Sequence, residues 1–215
     1  PPDSRTLFHF LCCLEEADRQ SGIVQAVWPH LWQRLEQPGE APDLATTLVP
    51  LTAAGLVEVR PLEEEGEETG FLYNLHPGVA EAGRTEAGDD FQAAVDAQLA
   101  AFWRAVFDHG LKEEMHGGGR LLVQAGRGAT PYLLRQHRSL EAYLLLDKVI
   151  QREQSPRMVA TILPLLRHTV TATEGTDLEL LTAGMLATAL LKAGRWLEAE
   201  AMMRDIVRLA AERGE

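Results

Sequence analysis

The apolar positions of residues 1–57 recur with helical spacing in three successive segments. The first predicted helix has Ser4 as its N-cap and carries one broad apolar face made of Leu7, Phe8, Phe10, Leu11 and Leu14. The second reads "GIVQAVWPHLWQRLEQ", and its Pro29 predicts a kink or a break. The third reads "DLATTLVPLTAAGL", with Asp43 as the expected cap and Gly55 as the residue that closes it.

The pattern changes to a period of two after the third helix. "LVEVRPL" alternates apolar and polar residues, "EEEGEETG" is a polar turn, and "FLYNL" is the expected return strand. Three helices followed by a β-hairpin form a winged-helix arrangement. We therefore predict a winged-helix domain over residues 1–83.

The next segment, "DDFQAAVDAQLAAFWRAVFDHGL", predicts one long amphipathic helix. Asp89 and Asp90 at its start suit the positive end of a helix dipole. We assign residues 84–116 to this bridging helix.

Residues 117–215 predict helix after helix and contain an internal repeat. "LLRQHRSLEAYLLLDKVI" and "LLKAGRWLEAEAMMRDIV" align without a gap, 57 residues apart. His137 aligns with Gly194 and Ala142 with Ala199, and we expect Ala199 to be buried where two helices cross. This pattern resembles the tetratricopeptide repeat, in which small residues let antiparallel helices approach closely. The fold class is therefore predicted to be mainly α: a winged helix, then a tetratricopeptide-like array.

Composition places the chain among globular cytoplasmic proteins. It has 215 residues, 46% hydrophobic content and a net charge of −12. No stretch is apolar for long enough to span a membrane, and no secretory signal is visible. Cys12 and Cys13 are the only cysteines, which favours two reduced thiols over a disulfide or a metal site.

Charge argues against nucleic acid as a partner. Residues 1–80 contain four arginines, no lysine and thirteen acidic residues, whereas phosphate binding depends on Lys and Arg. The third helix, which would enter the major groove, offers Thr46, Thr47 and Thr52. Five glutamates occupy the predicted wing, which is either a solvated acidic loop or a docking surface for a basic partner.

A histidine stands where the second strand meets the next helix, in "FLYNLHPGVAEAG". A winged helix that ends in this way and precedes tetratricopeptide-like helices resembles the C-terminal part of a STAND-class signalling NTPase of the NB-ARC or NACHT type. Leu75, His76, Pro77, Val79 and Ala80 match that family's motif, while Gly78 replaces its usual leucine. The resemblance implies that His76 lies near the phosphates of ADP bound to an upstream nucleotide-binding domain, and that the helical repeats bind a protein or peptide.

The sequence has no G-x-x-x-x-G-K-[ST] motif and no Walker B run. We therefore expect no catalysis and no cofactor in this chain, with ADP or ATP held by the presumed parent protein. The expected function is regulation and sensing. The alternatives are a winged-helix transcription regulator with a repeat sensor and a stand-alone interaction scaffold. His76 alternatively only caps the helix that follows it.

Overall fold

The computed structural model describes residues 1–64, 67–113, 119–152 and 155–214. Within these residues the chain forms ten α-helices and a two-stranded antiparallel sheet, so the protein is mainly α, as the sequence predicts. The chain divides into two compact units, an N-terminal unit over Pro1–Leu99 and a C-terminal unit over Ala100–Glu215. The division falls inside the long helix that the sequence predicts as the bridge.

The N-terminal unit has three α-helices, then the two strands, then a fourth helix and the first part of a fifth. Its elements in chain order are α1 Pro2–Cys13, α2 Ser21–Arg34, α3 Leu44–Ala53, β1 Glu58–Glu64, β2 Glu67–Asn74, α4 Pro77–Ala87 and the first part of α5 Asp89–Lys112. The order of three helices and a hairpin is the order that the sequence predicts.

Helix α1 is the centre of this unit and packs against both α3 and α4. Leu7, Phe10 and Leu11 are completely buried on it. The prediction that Ser4 caps α1 is wrong, because the helix begins at Pro2 and Ser4 is buried within it. Proline suits the first helical position, where its missing N–H is not needed, so the helix starts earlier than the Ser signal indicates.

The proline prediction for α2 and the cap prediction for α3 have different outcomes. Helix α2 continues through Pro29, so no break occurs there. Pro29 lies on the exposed side, where water can satisfy the carbonyl that loses its helical partner. Asp43 caps α3 as predicted, and its Oδ1 accepts the Thr46 N–H at 2.9 Å. This hydrogen bond lowers the pKa of Asp43 from its ordinary value.

The sheet is anchored to the start of α2. Strands β1 and β2 pair antiparallel from Glu58↔Asn74 to Glu64↔Glu67, with an irregularity after Leu62. The other edge of β2 is also engaged, because Tyr73 N–H donates to the Arg19 carbonyl at 2.8 Å. The end of β2 is therefore held from both sides, and this fixes the point from which α4 starts.

The C-terminal unit is helical throughout its described residues. It contains the rest of α5 and then α6 Gly119–Arg135, α7 Ser139–Arg152, α8 Pro156–Thr173, α9 Glu179–Lys192 and α10 Trp196–Arg213. A buried cluster joins α7, α8, α9 and α10, and includes Leu146, Ile162, Leu166, Leu186 and Ala199. Ala199 is completely buried, as the sequence predicts.

The two aligned segments of the internal repeat form the same helical turn. His137 and Gly194 both adopt a left-handed backbone, with φ of 57° and 74°. In each copy the residue after this position donates its N–H to the equivalent carbonyl at 2.9 Å, from Arg138 to Leu133 and from Arg195 to Leu190. These bonds close the preceding helix with the 6→1 pattern of a Schellman motif.

Candidate functional site

His76 lies at the joint between the sheet and α4. Strand β2 ends at Asn74, Leu75 is buried, and Pro77 is the first residue of α4. Proline disfavours helical geometry in the residue before it, and His76 is extended, with φ of −62° and ψ of 134°. The buried Leu75 and the fixed end of β2 therefore present the His76 side chain at the surface, at the entrance of the helix.

His76 is the N-cap of α4. Its Nδ1 accepts the Gly78 N–H at 3.2 Å, and its carbonyl accepts the N–H groups of Val79 and Ala80 at 2.9 Å each. Pro77 has no N–H to satisfy. The first N–H groups of α4 are therefore all bonded to His76 itself. The interpretation of His76 as a helix cap is confirmed.

The cap also determines which imidazole nitrogen carries the proton. Because Nδ1 accepts a hydrogen bond, the neutral ring must be protonated at Nε2. His76 is exposed, and Nε2 has no hydrogen-bond partner among the described residues. The ring therefore offers one N–H donor to whatever lies next to this surface, in addition to capping the helix.

A cleft of about 720 Å³ opens beside His76 within the N-terminal unit. It runs between the end of α1, the α3–β1 connection and the first turns of α4. Its lining residues include Leu14, Glu15, Glu16, Arg19, Leu56, Glu58, Asn74, Leu75, His76, Ala80, Glu81 and Arg84. Most of these side chains are polar or charged, so the cleft is suited to polar contacts.

Two arginines in this cleft close the C-terminal end of α1. Arg19 donates from Nε to the Leu11 carbonyl at 3.1 Å and from Nη2 to the Leu14 carbonyl at 3.2 Å. Arg84 donates from Nη2 to the Cys12 carbonyl at 3.1 Å. Helix α1 has no basic residue in its own last turn. These two side chains therefore supply the positive charge and the donors that the end of a helix requires.

Burial changes the electrostatics of this arrangement. Arg19 is almost fully buried, and desolvation lowers the pKa of its guanidinium from the ordinary value. An arginine remains charged despite such a shift. The carbonyl groups at the end of α1 therefore stabilise the buried Arg19 cation, and Arg19 supplies the hydrogen bonds that these carbonyls lack within the helix.

The balance of charge in the cleft is negative. Four glutamates line it beside the two arginines, at positions 15, 16, 58 and 81. Arg60 donates to Glu58 at 2.8 Å, which lowers the pKa of that carboxyl from its ordinary value. Both cleft arginines donate to backbone carbonyls and four glutamates lie beside them, so the cleft by itself is not a phosphate cradle.

The cysteines are inert in this fold. Cys12 and Cys13 are both buried thiols on α1 and form no disulfide. Burial raises the pKa of the Cys12 thiol to about 12, so it stays protonated and unreactive at neutral pH. The described residues contain no cluster of three or more metal-ligating His, Cys, Asp or Glu side chains. They also contain no helix with the length and apolar character that crossing a membrane requires.

Sequence reasoning identified His76 but missed Arg19 and Arg84. The sequence holds one weak signal for them, since only five basic residues occur before residue 100 and all are arginines. Comparison with known proteins adds no relative, because no protein-family model, curated protein or solved structure matches this chain. The site is therefore interpreted from its own geometry.

Proposed function

We propose that this chain is a regulatory and partner-binding part of a STAND-type signalling NTPase. In this proposal the N-terminal unit is its winged-helix domain and the C-terminal unit is its tetratricopeptide-like array. The observation that carries the proposal is the placement of His76 directly after the last strand, at the head of α4, with Nε2–H exposed. The residues that flank it are those for which the family resemblance is closest.

His76 would act as a single donor to a phosphate of ADP. The Nε2–H is set by the helix cap, so the ring is already in the correct tautomer for donation. Both cleft arginines donate to backbone carbonyls, and the glutamates repel an anion. The contribution of His76 itself is that of one hydrogen bond to a charged group, about 1.5–3 kcal/mol. Such a contact would favour the ADP-bound, closed form of the parent protein.

The nucleotide itself belongs to an upstream domain in this proposal. The present sequence contains no P-loop, so this chain would regulate a catalytic core rather than supply one. A partner that binds the helical array more tightly in the open form would shift the equilibrium toward that form.

The exposed apolar residues of the last helical hairpin support the partner-binding role. Trp196 and Leu197 are 66% and 83% exposed at the start of α10, and Leu191 at the end of α9 is also exposed. Met203 and Val207 follow on α10 and are exposed as well. Trp196, Met203 and Val207 share one helix face by their spacing, which is a pattern that protein partners use.

A transcription regulator is the weaker alternative, because the N-terminal unit repels DNA. It carries eighteen acidic residues against five arginines, a net charge of −13. Binding to duplex DNA requires neutralisation of phosphates by basic side chains, and α3 has none. A stand-alone scaffold remains the second alternative, and it differs from the proposal only in having no nucleotide-binding core.

The first test is the encoded sequence on the N-terminal side of Pro1. A P-loop and a Walker B segment there support the proposal, whereas their absence from the encoded protein contradicts it. The second test uses that full-length protein loaded with fluorescent ADP. His76→Ala removes both the cap and the donor, and we expect ADP release to be about tenfold faster or more.

Two further variants separate sensing from capping. His76→Ser restores an N-cap but is too short to place a donor at the Nε2 position. We expect it to regain the melting temperature lost in His76→Ala while still releasing ADP rapidly. His30→Ala is the matched control, because His30 is an exposed histidine on α2. If His76→Ser retains ADP like the unmodified protein, His76 is only a helix cap.

A further inference from the structure

A second cavity in the N-terminal unit lies between α3 and the β-hairpin. We call it the α3–hairpin groove, and its volume is about 500 Å³. Helix α3 contributes Leu44, Leu48 and Val49, and the hairpin contributes Val59, Phe71 and Tyr73. In contrast to the cleft beside His76, this groove is walled mainly by apolar side chains.

The exposed large apolar side chains of the N-terminal unit are concentrated in this groove. Among the described residues of the N-terminal unit, three large hydrophobic side chains are exposed: Val49 at 62%, Val59 at 39% and Phe71 at 43%. All three line this groove. Single exposed apolar residues are ordinary, but their concentration in one concave site indicates a binding surface.

The groove is built from constrained parts. Ser21 Oγ accepts the Phe71 N–H at 3.0 Å and so holds the strand that carries Phe71. Gly70 beside it has φ of 152°, and a Cβ there would lie 2.7 Å from the same Ser21 oxygen. On the other wall, the Asp43 cap fixes the start of α3. Because both walls are already held in place, little conformational entropy of the groove is lost when a ligand binds.

The edge of the sheet disfavours an added β-strand as the occupant. Phe71 directs its N–H away from β1, toward Ser21, so its cross-strand partner Pro61 also faces outward in the antiparallel ladder. Proline has no N–H, and the outer edge of β1 therefore lacks a donor at its centre. A helix, which satisfies its own backbone, does not need that donor.

Charge identifies the chemistry of the occupant. The N-terminal unit has a net charge of −13. Asp43 lies on the groove, and the strands that form the other wall continue into two glutamate pairs, Glu63↔Glu68 and Glu64↔Glu67. A field of this sign repels nucleic acid and repels the same unit of a second copy, and it attracts basic segments.

We infer that the α3–hairpin groove docks an amphipathic helix of another protein, with apolar residues in the groove and lysines or arginines against the acidic hairpin. This mode of recognition uses apolar anchors at i, i+3, i+4 and i+7 of the bound helix. The inference does not depend on the proposed NTPase function, because neither His76 nor its cleft takes part in it.

The test measures fluorescence anisotropy of labelled peptides titrated with the intact chain. The first peptide is an amphipathic helix of about 15 residues with leucines on one face and lysines on the other. The second replaces the leucines by serine and keeps the charge, and the third replaces the lysines by glutamate. We expect the first to bind at least about tenfold more tightly than either of the others.

Variants then locate the bound peptide. Val49→Ser removes an apolar side chain that is mostly exposed, so the fold should be retained, and we expect affinity for the first peptide to fall about fivefold to tenfold. Leu144→Ser is the matched control, because Leu144 is a 51% exposed leucine of α7 in the C-terminal unit, and it should leave that affinity unchanged. Amide chemical-shift changes at Ser21, Gln25 and Thr52, which also line the groove, provide an independent readout.

Several outcomes would overturn the inference. Equal affinity for the leucine and serine peptides would show attraction by charge alone. Equal losses in Val49→Ser and Leu144→Ser would place the peptide elsewhere. Binding of labelled duplex DNA that Val49→Ser weakens would assign the groove to nucleic acid. A change in oligomeric state on Val49→Ser, measured by analytical ultracentrifugation, would instead assign it to a second copy of the chain.

Discussion

The N-terminal and C-terminal units differ most in charge. The N-terminal unit has a net charge of −13, whereas the C-terminal unit has fifteen basic and fourteen acidic residues and a net charge of +1. The acidity of the whole chain therefore resides in one unit. The total charge of −12 therefore hides a strongly acidic unit and a nearly neutral one, and these two units attract differently charged partners.

The two units also expose apolar surface differently. The three exposed large hydrophobic side chains described in the N-terminal unit share one groove. In the described part of the C-terminal unit, ten such side chains are spread over α5, α6, α7, α9 and α10. One unit thus concentrates its exposed apolar side chains in a concave site, whereas the other distributes them over several helices.

The range of the polar contacts separates the units as well. Arg84 and the Cys12 carbonyl are 72 residues apart in the N-terminal unit. In the C-terminal unit the polar contacts between helices reach less far, with Lys192 and the Ile150 carbonyl 42 residues apart and Arg213 and Glu179 34 residues apart. The two equivalent turns are braced by pairs three residues apart, Arg138 with Glu141 and Arg195 with Glu198. Helical hairpins that mainly contact their neighbours behave as nearly independent units in a row, whereas the N-terminal unit needs its distant parts together.

The largest effect is expected where two helices of the N-terminal unit are in close contact. A Cβ added at Gly83 would lie 2.5 Å from Cys12 Sγ and 2.8 Å from the Phe8 ring, so these α1 side chains or α4 itself would have to shift. We expect Gly83→Ala to lower the free energy of unfolding of the N-terminal unit by about 3 kcal/mol. Hydrogen exchange read by mass spectrometry should show faster exchange in α1–α4 and unchanged exchange in α8–α10.

The control for this change is Gly184→Ala in α9, where an added Cβ meets nothing within 4 Å. There the substitution should stabilise the helix by about 0.5–1 kcal/mol, because glycine is entropically costly in a helix. Loss of protection in both units after Gly83→Ala would show that the units unfold as one, and the contrast between them would fail.

The arginine contacts give the second test. Arg19→Met keeps much of the side-chain volume but leaves the Leu11 and Leu14 carbonyls without their donor. We expect a loss of about 2–3 kcal/mol in urea unfolding of the N-terminal unit. Arg138→Met removes an exposed pair with Glu141 in the C-terminal unit and should cost less than about 1 kcal/mol. Similar losses for the two variants would contradict the distinction between the buried polar contacts of the N-terminal unit and the exposed ones of the C-terminal unit.

The turns of the internal repeat give the smallest expected effects. His137 has a left-handed backbone that glycine adopts without strain, so His137→Gly should stabilise the α6–α7 hairpin by about 0.5–1 kcal/mol. Gly194→His makes the reverse change in the α9–α10 hairpin and should destabilise it by a similar amount. Thermal melting of both variants checks this pair, and shifts of the same sign would show that the two turns are not equivalent.

Local chemistry explains which features were predictable. The Asp43 cap, the hairpin, the long α5 helix and the position of His76 depend on residues within one or two turns of each other, so their signals lie close together in the sequence. Ser4 shows the limit of such signals, because a serine near a helix start is buried inside α1 when Pro2 begins that helix. More than one residue near a helix start can begin or cap the helix, and the sequence alone does not show which one does.

What the sequence by itself determined is the mainly helical class, the order of the elements, the uneven charge and the repeated turn. These follow from periodicity, composition and short-range backbone preferences. Only the tertiary structure decided that Arg19 and Arg84 close α1, that Gly83 is a point of helix contact, and that Val49, Val59 and Phe71 share a groove. The physical reason is that buried carbonyls, contact distances and exposed apolar area depend on segments far apart in the chain, which meet only after packing is complete.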